Sequence, residues 1–259
     1  MARSAGKRGM LTNLPAPYLK RVWLDPTRVG DPAAYPFCLP VFRDGAFSLA
    51  FDRAVTIVVG ENGVGKSTIL EGIAALSGFD EAGGGPGYRL VDHSGVVEIM
   101  GGSLAPALRA SWLPRVTQGW FFRAESFFSI ARYLDRAATE DGSTPPDFLS
   151  LSHGEGFLSF FEERCTKQGL YIFDEPESAL SPSRQIEFLK LLRRMDESRF
   201  CQVIMATHSP ILMAYPGASL LGMTARGLEP ITLERTQHFR LMREFCADPA
   251  SFIELMMEG

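Results

Sequence analysis

A short glycine-rich segment combines a lysine and a serine at a spacing that suits the binding of phosphate groups. It matches the P-loop pattern G-x-x-x-x-G-K-[ST] between Gly60 and Ser67, and it follows a β-branched run and precedes a helix-forming run. Glycines let the backbone approach phosphate oxygens closely, and the N–H groups of the loop and of the next helix supply a positive cradle. The residues predicted to bind ATP are Gly60, Asn62, Gly63, Gly65, Lys66, Ser67 and Thr68.

Within that segment the side chains have separate predicted roles. Lys66 should reach the β- and γ-phosphates, Ser67 should bind Mg²⁺, and Thr68 should lie near the α-phosphate. The alternative is a glycine-rich turn with a surface lysine. The strand before the loop and the helix after it favour the nucleotide site.

A second candidate site is a pair of carboxylates at the end of an apolar run. The run Leu170-Tyr171-Ile172-Phe173 leads directly into Asp174 and Glu175. We predict that Asp174 binds Mg²⁺ and that Glu175 is the general base that polarises the attacking water. The alternative is that both carboxylates only cap a strand end, an interpretation that the nearby P-loop makes much weaker.

A third candidate is His208, which follows the apolar run 202–206 in the segment Ala-Thr-His-Ser-Pro. Histidine at this place can hydrogen-bond a γ-phosphate or the attacking water. The alternative is an ordinary histidine in a polar turn after a strand.

A fourth candidate is the segment Leu151-Ser152-His153-Gly154-Glu155, which opens a predicted helix. Ser152 occupies the N-cap position, and Gly154 leaves backbone N–H groups accessible, so the helix start can bind an anion. Ser152 with Glu155 also forms a complete capping box, and the two interpretations are compatible.

Strands and helices alternate along most of the chain. Strands are predicted at residues 18–24, 47–51, 55–59, 96–100, 119–123, 170–173, 202–206, 219–223 and 230–234. Helices are predicted at 67–76, 125–136, 154–167, from 182 onward, at 238–246 and from 249 onward. Ile186, Leu189 and Leu192-Arg193 give the helix that Pro182 starts its period, and Phe252, Leu255 and Met256 are predicted to face inward in the last helix. The alternation predicts an α/β fold with a mostly parallel sheet.

Composition limits the possible functions. The chain has 259 residues, 46% of them hydrophobic, and a net charge of −4. No overall positive field would attract nucleic acid, so DNA binding is possible but not indicated. The four cysteines show no C-x-x-C spacing, which argues against zinc or a disulfide framework. No window of about 18 apolar residues is present, so we expect no membrane insertion and a cytoplasmic location.

The order of these motifs resembles the nucleotide-binding domains of ABC-type ATPases. Leu-Ser-His-Gly-Glu at 151–155 takes the place of the signature, and Glu175 and His208 take those of the catalytic glutamate and the switch histidine. Residues 178–181 resemble the D-loop, with Ser181 where many members have Asp. Because Gln118 starts its strand, the resemblance assigns Arg123 or Glu125 to the position of the Q-loop glutamine.

The variants Asp-Glu-Pro-Glu and Thr-His-Ser-Pro resemble the soluble branch with SMC-, RecF- and OLD-like ATPases, and above all small stand-alone bacterial "AAA-family" ATPases. The resemblance implies antiparallel β elements and a small helical subdomain at about 124–168 that carries the signature. We expect a tail at 1–17 and one ATPase domain at 18–259.

The resemblance also implies a homodimer that closes on ATP, with Ser152, His153, Gly154 and Glu155 acting in trans. Its output would pass to an effector or nuclease partner, or to DNA. The alternative is the energy-coupling subunit of a membrane transporter.

Overall fold

The centre of the protein is a six-stranded sheet. The computed structural model describes residues 12–86, 104–123, 153–224 and 227–258. The sheet has the spatial order β5-β6-β7-β3-β8-β9. These strands are β3 Val55–Val59, β5 Gly119–Arg123, β6 Gly169–Asp174, β7 Cys201–Ala206, β8 Ser219–Thr224 and β9 Gly227–Pro230. All neighbours pair in parallel except β8 and β9, which are antiparallel. The predicted α/β fold with a mostly parallel sheet is therefore confirmed.

A smaller antiparallel sheet lies beside the first. It has the order β2-β1-β4 and consists of β1 Leu19–Leu24, β2 Ser48–Ala50 and β4 Leu108–Trp112. Its buried residues, among them Leu19, Val22 and Leu49, join the same apolar cluster as β3 and the helix after it. This sheet contains the antiparallel elements that the resemblance implied.

Six α-helices belong to the described part of the chain. They are α1 Lys66–Ser77, α2 His153–Arg164, α3 Pro182–Ser198, α4 Pro210–Met213, α5 Gln237–Ala247 and α6 Pro249–Met257. Ser181 caps α3 and Pro182 is its first residue, as the sequence predicts. Short 3₁₀ turns connect several elements, including Pro176–Ala179 directly after the carboxylate pair.

Both faces of the large sheet are covered, which explains why β3, β6 and β7 are buried at every position. One face packs against α2 and α3 through an aromatic cluster centred on Phe173, whose ring is stacked at 4.8 Å from Phe122. The other face packs against α1 and the small sheet. Because both faces of these strands are buried, each strand has a fixed position and direction in the sheet. The polar residues that follow the strands are therefore also fixed in position.

Two inward assignments from the sequence are wrong, since Leu255 and Met256 are 68% and 54% exposed. Ile186, part of the predicted period of α3, is also 48% exposed. In α3 the buried stripe instead begins at Gln185, whose side-chain amide donates to Leu180 O and accepts from Ser209. A polar residue with two buried partners has therefore taken the core position that hydrophobicity alone assigned to Ile186. In α6 the ring of Phe252 packs against Phe245 of α5.

The predicted strand at 230–234 is also misplaced. Pairing between β8 and β9 runs from Gly227 to Pro230, and Leu233–Arg235 is a 3₁₀ turn. The reason is Thr236, which donates its hydroxyl to Leu233 O and accepts from the N–H of Phe239. That cap starts α5 and requires the preceding residues to turn.

Several predicted features lie outside the described residues: the strand at 96–100, the helix at 125–136, residues 1–11 of the tail and residues 124–152 of the helical subdomain. No helix in the described ranges is both long and apolar enough to cross a membrane.

Candidate functional site

The predicted phosphate loop forms the turn between β3 and α1. Gly63 and Gly65 have φ values of +75° and +102°, in the left-handed region that favours glycine. At Gly65 an added Cβ would also lie 2.9 Å from Leu39 Cδ1. The loop therefore favours glycine there for its backbone conformation, and a side chain would also displace the end of Leu39. Asn62 is exposed at its tip.

Lys66, the first residue of α1, lies inside the loop. Its ammonium donates to the carbonyls of Gly60 and Glu61, both at 2.9 Å, and the residue is 5% exposed. Burial lowers the pKa of Lys66, and the nearby carboxylates of Glu175 and Asp174 act in the opposite direction. A buried cation inside a glycine loop fits the recognition of a polyphosphate chain.

Ser67 and Asp174 are brought together from distant parts of the sequence. The Ser67 hydroxyl donates to Asp174 Oδ1 at 3.1 Å, across the carboxyl ends of two parallel strands. Asp174 is 6% exposed, and burial raises its pKa to about 6 against the opposing effects of Arg123 and Ser67. The two side chains offer oxygen donors of the kind that Mg²⁺ prefers.

The Ser67–Asp174 pair fits a magnesium ion that is bound partly by the protein and partly by the phosphates of a substrate. In the described ranges no group of three or more His, Cys, Asp and Glu residues is placed to hold a metal unaided. Mg²⁺ is commonly bound by one or two protein oxygens together with substrate phosphates and water. Ser67 and Asp174 supply such a pair beside the phosphate loop.

Arg123, one of the two candidates for the Q-loop position, ends β5 directly opposite Asp174. Its guanidinium lies 2.7 Å from Glu71 Oε1 in α1 and 3.7 Å from Asp174 Oδ2. Arg123 therefore connects the helix after the phosphate loop to the predicted metal-binding carboxylate. Glu125, the other candidate, lies outside the described residues.

Glu175 follows Asp174 in an unusual backbone conformation. Its φ of +48° and ψ of 54° place a non-glycine residue in the left-handed region. The N–H of Glu175 donates to Ala206 O at 3.0 Å, and Pro176 starts the 3₁₀ turn that follows. Together they hold this turn against the end of β7. The carboxylate of Glu175 stays accessible, with 42% of the side chain exposed.

His208 lies beside Glu175, as the motif order predicts. Its Nε2 is 3.3 Å from Glu175 Oε1, but the geometry is not that of a hydrogen bond, and this buried nitrogen has no other polar partner. Its main-chain N–H donates to Glu177 Oε1 at 2.5 Å, and its Nδ1 lies 2.8 Å from Nε2 of His238. Burial and the charge of Lys66 lower the pKa of His208.

The sequence interpretation missed three residues at this site. Glu177 and His238 contact the two ends of His208, and the Tyr35 hydroxyl is 2.7 Å from the Thr68 hydroxyl. The second glutamate of Asp-Glu-Pro-Glu was a signal for Glu177, because a carboxylate just after a strand end can bind a neighbouring backbone N–H. No local pattern marks His238 or Tyr35, since both come from distant segments.

The signature segment is described only in part. His153, Gly154 and Glu155 form the first turn of α2, whereas Ser152 lies outside the described residues. The described residues thus show His153, Gly154 and Glu155 in helical conformation, and the predicted anion site at this segment stays a prediction.

Comparisons with known proteins match the part of the chain that contains several of these residues. A protein-family model described as "AAA domain, putative AbiEii toxin, Type IV TA system" matches residues 148–214. These residues include the predicted signature, Glu175 and His208. An OLD nuclease of Thermus scotoductus is 41% identical over 56 residues, which is 22% of this chain and 11% of the nuclease. The match thus covers only a small part of that relative's length.

Two longer matches have lower identity. The thiamine import ATP-binding protein ThiQ of Photobacterium profundum is 25% identical over 195 residues, covering 64% of this chain and 74% of that protein. Among solved structures, the SMC head domain from Thermotoga maritima aligns with a TM-score of 0.46 and 18% identity, over 83% of this chain and 99% of the head domain.

The phosphate loop, the carboxylate pair and the histidine meet at one edge of a parallel sheet, and the family model covers the carboxylate pair and the histidine. In sequence the chain is similar to P-loop ATPases of the AAA, OLD and ABC-type kinds.

Proposed function

We propose that this ATPase hydrolyses Mg·ATP at the edge of the sheet and uses the cycle to open and close a head-to-tail homodimer. The observation that carries the proposal is the convergence of Lys66, the Ser67–Asp174 pair and the Glu175–His208 pair at neighbouring strand ends. These are the groups needed to bind a triphosphate, share a magnesium ion with it and activate water.

Each side chain has a defined part in the reaction. Lys66 and the N–H groups of the loop bind the phosphate chain, and Ser67 and Asp174 would hold Mg²⁺, which neutralises charge on the phosphates. Glu175 has an accessible carboxylate beside His208, and it accepts a proton from the attacking water as general base. His208 donates a hydrogen bond to the γ-phosphate or to that water.

Dimerisation is the finer part of the proposal. The start of α2 at His153 would bind the γ-phosphate of the opposite subunit, with Ser152 and Gly154 contributing to the anion site. ATP would then stabilise the closed dimer, and hydrolysis would release it. The output would pass to a protein partner such as an effector or nuclease, or to DNA.

The test replaces Glu175 by Gln, which keeps the size and polarity but removes the base. We expect turnover to fall by about 10²-fold or more with ATP still bound, since general-base catalysis contributes about 10²–10⁴-fold. Sedimentation with ATP and Mg²⁺ should show a stable Glu175→Gln dimer. Glu163→Gln, an exposed change in α2, is the matched control and should hydrolyse ATP as wild type does.

A mixed-dimer experiment tests the arrangement in trans. Ser152→Arg should prevent the ATP-dependent dimer while leaving ATP binding to the monomer nearly unchanged. Mixing Ser152→Arg with Glu175→Gln chains creates dimers with one doubly altered and one intact site, so part of the activity should return. A concentration-independent turnover, with no dimer of Glu175→Gln, would contradict the sandwich while leaving the hydrolytic site standing.

A transporter role is the second candidate, and the ThiQ match over 195 residues favours it. A pull-down with Glu175→Gln in the presence of ATP distinguishes the two. Capture of an integral membrane permease would support transport, whereas capture of a soluble effector or of DNA would support the first proposal.

A further inference from the structure

A second histidine touches the histidine of the hydrolytic site. His238, the second residue of α5, places its Nε2 2.8 Å from His208 Nδ1, with ring centroids 4.9 Å apart and planes at 62°. We propose that His238 is a positioning residue that donates this hydrogen bond and thereby holds His208 in its neutral Nε2–H tautomer. The inference rests on the proposed hydrolytic role of His208.

A hydrogen bond between His208 Nδ1 and His238 Nε2 needs one proton, which one of these two nitrogens must carry. Burial lowers the pKa of both histidines, which favours two neutral imidazoles, each with one donor and one acceptor nitrogen. Either His208 Nδ1 donates to His238, which leaves His208 Nε2 as a bare acceptor, or His238 Nε2 donates, which leaves His208 Nε2 protonated. The surroundings of His208 Nε2 decide between these forms.

On the far side of the His208 ring lies an acceptor. Glu175 Oε1 is 3.3 Å from His208 Nε2, and an ionised carboxylate has no proton to donate. Although this contact lacks hydrogen-bond geometry, a carboxylate at that distance favours a ring nitrogen that carries a proton over one that carries a lone pair. A γ-phosphate is likewise an acceptor, so the same tautomer suits the bound substrate. The second form, with His238 as donor, is therefore the one that the site favours.

The charges around the two rings come from several elements. The charge of Lys66 lowers the pKa of both His208 and His238, and the charge of Glu61 in the phosphate loop raises the pKa of both. Glu175 lies near Nε2 of the His208 ring, and Glu177 accepts from the main-chain N–H of His208. The cation of Lys66 disfavours a protonated ring, which leaves the choice of tautomer as the variable that His238 controls.

The backbone restricts the ring further. The N–H of His208 is bound by Glu177 Oε1, and Nδ1 is bound by His238, so Nε2 is the nitrogen that remains for the reaction. His238 is itself fixed by the capped start of α5, where Thr236 is 2% exposed and accepts from the N–H of Phe239. Both ends of His208 are thus tied to separate segments of the chain.

Two substitutions separate the hydrogen bond from packing. His238→Leu removes the donor and keeps an apolar side chain, whereas His238→Gln retains an N–H at the end of a side chain of similar reach. We expect His238→Leu to lower kcat by about 10–100-fold, a loss typical of removing an orienting partner, with ATP affinity within about twofold. His238→Gln should recover most of that loss.

The tautomer itself can be read by ¹⁵N NMR of histidine-labelled protein without nucleotide. The chain has four histidines, so the His208 signals can be assigned by their absence from His208→Asn. Wild type and His238→Gln should show the Nε2–H form at His208, and His238→Leu should lose it, while the signals of His93 and His153 stay unchanged.

The outcomes distinguish this inference from the proposed function. A wild-type His208 in the Nδ1–H form, or an unchanged tautomer and kcat in His238→Leu, would overturn the role of His238. Full activity of Glu175→Gln would overturn the hydrolytic site instead. If His238→Leu fails to fold, the wild-type spectrum and the His238→Gln variant still decide the question.

Discussion

The buried carboxylate of Asp174 should lower the free energy of unfolding of the nucleotide-free protein. It is buried at 6% exposure, and burial raises its pKa to about 6, although Arg123 and Ser67 favour the ionised form. Replacing it by Asn keeps the shape and an oxygen for the Ser67 hydroxyl, and Arg123 keeps its closer partner Glu71 at 2.7 Å. Only the buried charge is removed.

The size and sign of the effect follow from the pKa. A carboxyl whose pKa rises from about 4 unfolded to about 6 folded costs the ionised native state about 3 kcal/mol. The native state binds the proton more tightly, so this cost is absent below about pH 4, grows between pH 4 and 6, and is complete above pH 6. Asp174→Asn should therefore be about 3 kcal/mol more stable than wild type at pH 8 and similar to it near pH 4.

Thermal unfolding without nucleotide measures this difference. For a domain of this size about 3 kcal/mol corresponds to a rise in Tm of about 6–12 °C at pH 8. The exposed residue Asp52 gives the control, because Asp52→Asn should shift Tm little at either pH. Mg·ATP should then stabilise wild type by mass action and stabilise Asp174→Asn much less.

Two results would refute the reasoning. If Asp174→Asn were less stable than wild type at pH 8, the ionised carboxylate would be stabilising in the fold. If Mg·ATP raised the Tm of both proteins equally, Asp174 would not take part in binding the metal and nucleotide.

Two further substitutions test neighbouring parts of the site. Lys66→Ala should weaken the binding of Mg·ATP about 10–100-fold by calorimetry, because charged hydrogen bonds contribute about 1.5–3 kcal/mol. The control is Lys190→Ala, on the exposed side of α3. Equal affinity in wild type and both variants would exclude a phosphate role for Lys66. Glu177→Leu should lower the free energy of unfolding by about 1–3 kcal/mol in urea titrations, since it leaves the His208 N–H without its acceptor. Glu177→Gln retains an acceptor oxygen and should stay close to wild type. Equal losses in both variants would mean that this hydrogen bond is not the cause.

The local parts of the site were predictable from sequence. The phosphate loop needs glycines at fixed positions after the β-branched run of β3, and β6 is an apolar run that ends at Asp174. Each of these signals is contained within a few consecutive residues. The parallel sheet then brings their carboxyl ends together, which is why Ser67 and Asp174 meet although 107 positions separate them.

The supporting contacts were not predictable, because they depend on tertiary packing. Glu71 comes from the middle of α1 and binds Arg123 from β5, and His238 comes from a helix beyond the sheet. Gln185 shows the same limitation inside the core, since its two buried hydrogen bonds decide which face of α3 is turned inward. Hydrophobic periodicity contains no information about such partners.

The position of α5 acquires a meaning from His238. Neither α5 nor α6 contains a buried residue, and their exposed apolar side chains include Leu241, Met242 and Leu255. Helices that bury so little add little to the hydrophobic stability of the domain. Through His238, however, the first turn of α5 is bonded to the histidine beside Glu175. A segment that contributes weakly to stability is thus directly connected to the reacting end of the site, so a change in its position would alter the orientation of His208 before it altered the fold.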